Sequence, residues 1–193
     1  MSTDQPKGKF VAYINKDKQP GDKLPAFDQG ELHMPGTDDV RTVTLWIQEY
    51  TDKETGEVKQ RYSGEAKPIL ADPKAHLAKL AGPAVPTDAV EFQGATYKAH
   101  QIRLYPNKFQ AEAPDKPRPD LHGHYYPGNG APLVSLGVWI ETTRYGDVKL
   151  SGKTGYPVPG KPETVMQDDM AADHAEPAPK KSGRGKATGG RGE

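Results

Sequence analysis

Residues 42–50, TVTLWIQEY, place Val43, Leu45 and Ile47 on one side of the chain and Thr42, Thr44 and Trp46 on the other. A hydrophobic period of two is the signature of a β-strand with one buried face. Residues 133–143, LVSLGVWIETT, are similarly rich in β-branched and aromatic side chains and follow Pro132. Each stretch leads through a Gly-bearing turn into a second strand, EVKQRYS or DVKLSG, which predicts a hairpin with a loop longer than two residues. Upstream, GELHM and LHGHYY run into Pro-Gly turns, and FVAYIN and HQIRLY supply a fourth strand to each group. VEFQGATYK reads as one more small hairpin.

The two groups repeat one another. YINK at 13–16 answers YPNK at 105–108, and Met34-Pro35-Gly36 answers Tyr126-Pro127-Gly128, both 92 residues on. Gly30 and Gly123 are 93 apart, as are Trp46 and Trp139. Gly56-Glu57-Val58-Lys59 answers Gly146-Asp147-Val148-Lys149 at 90, the missing residues falling in the loop between. Four ordered anchors at nearly one offset predict an internal duplication.

The expected fold is therefore mainly β, with two tandem small antiparallel barrels or curled sheets at residues 1–68 and 90–157. Between them, ADPKAHLAKLAG predicts a short linking helix within a 69–89 linker, with Asp72 as N-cap, Pro73 at the first position and Gly82 at the stop. From 158 to 193 periodicity fails, and the last 33 residues hold no aromatic side chain. That tail is expected to be disordered and dispensable for folding, acidic at first and then basic.

Composition sharpens the functional reading. Lys+Arg and Asp+Glu are 26 each, so any charge signal is local. The second half, residues 98–155, carries eight bases against five acids, and the first, residues 8–64, eight against ten. The tail ends in KKSGRGKATGGRGE, with Lys180, Lys181, Arg184, Lys186 and Arg191. Cationic arms take hold of phosphate by releasing counterions. The chain has no cysteine, no apolar leader and no run long enough to span a membrane, which suggests a soluble protein in the cytoplasm.

Enzyme chemistry finds little support. No nucleophile elbow, phosphate-cradling loop or Glu-x-x-His pattern occurs, and no cofactor is expected. Asp120, His122 and His124 would share one strand face with ligand types that suit zinc, but a fourth ligand is missing and the first half has no histidine there. Two solvent-facing histidines are the expectation, and no metal. For single-stranded nucleic acid the candidate residues are Arg103, Lys108, Arg144 and Lys149 on phosphate and Tyr125, Tyr126 and Tyr145 as stacking faces, joined by the five tail cations. Trp46 and Trp139 are expected to plug the core of each copy.

The run YPNK…RPDLHGHYYPG…VWIETTRYGDVKL, repeated in degenerate form in the first half, resembles small bacteriophage and plasmid β-module proteins. Some of those are similar to OB-type single-stranded DNA-binding modules. The first half departs from the pattern at LPAFDQG, where Pro25-Ala26-Phe27 stands in place of Pro-Asp. The resemblance implies OB-like modules, a phage or mobile-element origin, residence in the host cytoplasm and a non-enzymatic accessory role; it brings no binding residues with it. The competing expectation is a factor that binds a host enzyme or defence complex through its acidic first half and an open sheet edge.

Overall fold

Residues that alternate in sequence alternate across a barrel wall. The computed structural model of the chain describes residues 7–69, 88–110 and 117–175. The first four strands are β1 (Gly8–Ile14), β2 (Phe27–His33), β3 (Val40–Thr51) and β4 (Val58–Pro68). A hairpin of β5 (Ala89–Phe92) and β6 (Ala95–Lys98) intervenes. Four more strands follow, β7 (Gln101–Pro106), β8 (Leu121–Tyr125), β9 (Val134–Thr142) and β10 (Val148–Gly155), and then helix α1 (Glu163–Ala175).

Eight of the strands form one closed antiparallel barrel in the order β1-β2-β3-β4-β7-β8-β9-β10, with β10 back against β1. Apart from that closing pair, neighbours in the barrel are neighbours in the chain except at β4 and β7, where the β5–β6 hairpin stands apart as its own sheet. Inward positions are apolar and closed to solvent: Phe10 and Ala12, Val43 and Leu45, Ile102 and Leu104, Leu136 and Val138, Leu150. Gln93 and Gly94 both take positive φ, at 48° and 73°. That is the two-residue turn whose twist matches a hairpin.

Two separate modules were expected, and one barrel is found. Four strands alone leave two edges of unpaired N–H and C=O groups, a standing liability. Here each group of four closes the other: β4 meets β7 from Tyr62–Leu104 to Glu65–Gln101, and β1 meets β10 from Gly8–Thr154 to Tyr13–Lys149. Nor is this the five-stranded Greek-key barrel of an OB fold. The tryptophans are not plugs inside it either. Trp46 and Trp139 sit on the outer faces of β3 and β9, and each indole N–H donates to a carbonyl of the preceding long loop, Lys23 at 3.1 Å and Pro117 at 3.0 Å.

The tail expectation also changes. Residues 163–175 form α1, which packs on the outside of the barrel with Met170 and Ala171 buried against Trp139. Gly137 makes room for it: a Cβ there would lie 2.9 Å from the Met170 sulfur. Polar contacts fasten the helix along its length. Glu163 accepts from His122 at 2.9 Å, Gln167 accepts from Asn107 at 2.9 Å, and Asp168 pairs with Arg118 at 2.7 Å. The expected linking helix and the basic segment from 176 onward lie outside the described residues.

Candidate nucleic-acid interface

The end of β1 and the β9–β10 turn together enclose an open cleft of about 480 Å³. Tyr13 and Tyr145 are 46% and 75% exposed, and both line it. Tyr13 is held there by strand register, since it faces outward opposite Lys149. Tyr145 rides the turn that Gly146 closes with φ at 86°, a conformation that costs glycine little. Thr143 fixes that turn: its Oγ1 accepts from the Tyr145 and Asp147 amides at 3.3 and 3.2 Å.

Three cations and one carboxylate line the cleft: Lys16, Arg144, Lys149 and Asp147. Lys16 pairs with Asp147 at 2.7 Å, and Lys149 pairs with Glu141 at 2.8 Å. The Arg144 guanidinium lies 4.6 Å from the Tyr145 ring centroid and donates to its hydroxyl. The cleft is thus rimmed by two tyrosines, one of which already carries a cation on its face.

Of the residues picked from sequence, Arg144, Tyr145 and Lys149 come together here. The others do not. Tyr125 points into the barrel, fully buried, donating to the Ala66 carbonyl at 2.9 Å and accepting from Arg41. Burial pushes its hydroxyl up to about 12. Tyr126 is also buried, and its hydroxyl is bonded to Asp88. Neither tyrosine offers a face to a base; the alternation of β8 turns Tyr125 inward with Leu121 and Gly123. Arg103 faces out of β7, with its guanidinium 5.2 Å from the centroid of the buried Tyr97 ring on β6. Lys108 follows β7, four strands from β1 across the barrel, 5.4 Å from the Phe109 centroid and 3.9 Å from Glu54. Lys180, Lys181, Arg184, Lys186 and Arg191 lie outside the described residues.

Sequence reasoning missed Tyr13 and Lys16. Their signal was present: YINK reappears as YPNK, but as a repeat anchor and not as a surface.

His122 and His124 share the outer face of β8 and Asp120 comes just before the strand, yet each is engaged separately. Asp120 accepts from Gln110 at 2.6 Å and from the Ile140 amide at 2.8 Å, and His122 meets Glu163. His124 is buried, edge-on to Phe92 and Tyr97, so it does not face solvent as expected. That burial lowers its pKa to about 4. Among the described residues no group of three His or acidic side chains is placed to hold a metal ion. No helix among them is long and apolar enough to cross a membrane. Compared with protein-family models, with curated proteins and with solved structures, the chain has no significant match.

Proposed function

We propose that the protein binds single-stranded nucleic acid, without enzymatic activity, at the cleft between the end of β1 and the β9–β10 turn. The observation that carries this reading is the pair of solvent-open tyrosines, Tyr13 and Tyr145, on a cleft lined by Lys16, Arg144 and Lys149. Exposed aromatic faces stack bases of any sequence, and adjacent cations hold the backbone. Two of the cations already have carboxylate partners at the surface, but such pairs are worth only about 0–1 kcal/mol and exchange readily for phosphate. The resemblance to phage and plasmid β-module proteins points the same way. The competing protein-partner reading loses the barrel wall as an edge-on route, since its eight strands pair all the way round, and keeps the edges of the separate β5–β6 hairpin.

The four-strand halves are, in this reading, copies of one unit, and the matching bonds of Trp46 and Trp139 support it. The cleft then has a counterpart at Tyr105, and that counterpart is filled. Tyr50 meets Tyr105 edge-on at 5.4 Å, and the Arg61 guanidinium lies 5.7 and 5.9 Å from the two centroids. Thr143 holds the place of Tyr50 in the second half, and the smaller side chain leaves Tyr13 open. A crystal structure in which β3 and β9 packed their tryptophans differently would remove the support for duplication.

Fluorescence anisotropy with an oligo-dT strand at two salt concentrations tests the binding. Affinity should fall with salt, and Arg144→Ala should lower the slope by up to about 0.7 for each phosphate that the side chain neutralises. Absence of salt-dependent binding at micromolar protein would end the nucleic-acid reading.

A further inference from the structure

The β9–β10 turn that carries Tyr145 also carries the one carboxylate that lines the cleft, Asp147. Thr143 holds both. Its Oγ1 accepts from the two amides, its backbone N–H donates to the Asp147 carbonyl at 2.7 Å, and its carbonyl accepts from Gly146 at 2.9 Å. A stacking ring and a carboxylate, two residues apart, are therefore presented from one closely bonded turn. Lys16, just beyond the end of β1, meets Asp147 Oδ2 at 2.7 Å.

Toward phosphate this carboxylate is a hindrance, because like charges repel. Toward a base it is an acceptor. An ionised carboxylate only accepts hydrogen bonds, on two oxygens, whereas an ammonium only donates, from three N–H groups. Lys16 gives one of its three to Asp147 Oδ2, and Oδ1 has no hydrogen-bond partner among the described residues. The pair thus offers the cleft a line of groups: donor, acceptor, acceptor. The Watson–Crick edges of unstacked bases, which single strands leave open to proteins, divide sharply against such a line. Guanine runs O6 acceptor, N1–H donor, N2–H donor, the complement at every place. Adenine and cytosine each set an amino donor beside a bare ring nitrogen, which a carboxylate repels, and thymine sets one N–H between two carbonyls.

We infer that the Lys16–Asp147 pair selects guanine: a guanine stacked on the open face of Tyr145 receives Lys16 on O6 and gives N1–H and N2–H to the two Asp147 oxygens. The inference rests on the cleft reading above and names the base that the cleft prefers, with Asp147 as the residue that determines it. Arg144, which already lies over the Tyr145 ring, and Lys149 remain for the neighbouring phosphates. One base is read, and the rest of the strand is held without regard to sequence.

The test is anisotropy of the full chain with short oligo-dT strands that carry a single central guanine, hypoxanthine, adenine or cytosine. Wild type should bind the guanine strand about tenfold tighter than the all-thymine strand, within the range for one two-bonded base contact. Hypoxanthine lacks the N2 amino group and keeps O6 and N1–H, so its strand should fall between. Asp147→Asn keeps the shape of the side chain and turns one acceptor into a donor. It should remove the guanine preference and raise affinity for the all-thymine strand, because a charge that opposes phosphate is gone. Lys16→Met should reduce the preference while guanine stays ahead. Both thermal midpoints should match wild type, since Thr143 and the backbone hold the turn. Free guanosine monophosphate should displace the guanine strand only in large excess, as it brings one phosphate where the strand brings several. Displacement at equal concentration would make a free nucleotide the source of the guanine and overturn the inference. Salt-dependent binding of every strand with one affinity would overturn it too, and leave the cleft reading standing. So would a guanine preference that Asp147→Asn kept whole, or a hypoxanthine strand bound as tightly as the guanine strand. No binding by wild type would remove both.

Discussion

Asn15 and Asn107 make the same hydrogen bonds in the two halves of the barrel. Each follows its strand, β1 or β7, and each side-chain Nδ2 donates across the loop to a proline carbonyl, Pro25 at 3.1 Å and Pro119 at 2.8 Å. Each Oδ1 accepts at 3.0 Å from the amide two residues on, Asp17 or Phe109. Each backbone N–H bonds at 2.9 Å to the residue after the proline, Ala26 or Asp120. These asparagines pin the long loops to the strand ends beside which the tryptophans sit.

They differ in one respect that sets a measurable asymmetry. Asn107 is buried and also donates to Gln167 on α1, whereas Asn15 makes no such bond among the described residues. Leaving a buried partner unsatisfied costs about 1–3 kcal/mol, against about 0.5–1.5 for an ordinary net hydrogen bond. Asn107→Ala should lower the unfolding free energy by about 2–3 kcal/mol, and Asn15→Ala by about 1. Urea unfolding measures both, and equal decreases would contradict the role given to Gln167.

Helix α1 makes a second stability prediction. Met170 and Trp139 bury one another, and fully burying a side chain of that size contributes about 1.5–3 kcal/mol. Stopping the chain at residue 158 exposes the indole and orphans Arg118 from Asp168 and His122 from Glu163. The thermal midpoint should drop by several degrees, on the order of 2–4 °C per kcal/mol for a domain of this size. A midpoint unchanged from wild type would mean that α1 contributes nothing to the barrel.

The strands were legible because their chemistry is local. Val43, Leu45 and Trp46 announce two faces by alternation alone, and Gln93-Gly94 announces a turn. Two features resisted. Closure into one barrel is a pairing of β1 with β10, residues more than 130 positions apart, which no local pattern encodes. Among the described side chains of helix α1, Gln167, Met170 and Ala171 are the buried ones, too few apolar residues to stand out in an acidic stretch. The indole against which they pack, Trp139, lies on another element. The same blindness to facing misplaced Tyr125, whose neighbour His124 turns outward on β8 while Tyr125 turns in.

His124 sets a pH dependence. Burial lowers its pKa to about 4 in the folded barrel, with Glu163 opposing that shift and His122 adding to it, whereas the unfolded chain protonates near 6.5. Phe92 and Tyr97 cover the ring. Between pH 6.5 and 4 the unfolded state therefore binds the extra proton, and stability falls as pH falls through that window. One group shifted this far contributes at most about 3 kcal/mol. Glu163 is lowered, chiefly by its hydrogen bond to His122, so its stabilisation is present above its unfolded pKa and disappears at still lower pH. Unfolding free energies at about pH 7 and about pH 4.5, values that bracket most of the window, should differ by less in His124→Phe than in wild type. An equal difference would place the proton elsewhere.

Two tyrosine substitutions separate stacking from scaffolding. Tyr145 is open to solvent with the Arg144 guanidinium on its face, so its ring can receive a base without disturbing the barrel. Tyr145→Ala should weaken oligo-dT binding by about 1–3 kcal/mol, the range for one stacked base, and leave the salt slope unchanged, because the cations that meet phosphate all remain. Its unfolding midpoint should match wild type. Tyr126→Phe deletes only the hydroxyl that bonds Asp88 and accepts from the Gly130 amide, and Tyr126 does not line the cleft. It should lower stability by about 1 kcal/mol and leave binding where it was. The contrast is the test. If Tyr126→Phe weakened binding as much as Tyr145→Ala did, the strand would lie over β8 and the cleft at the β9–β10 turn would not be its seat.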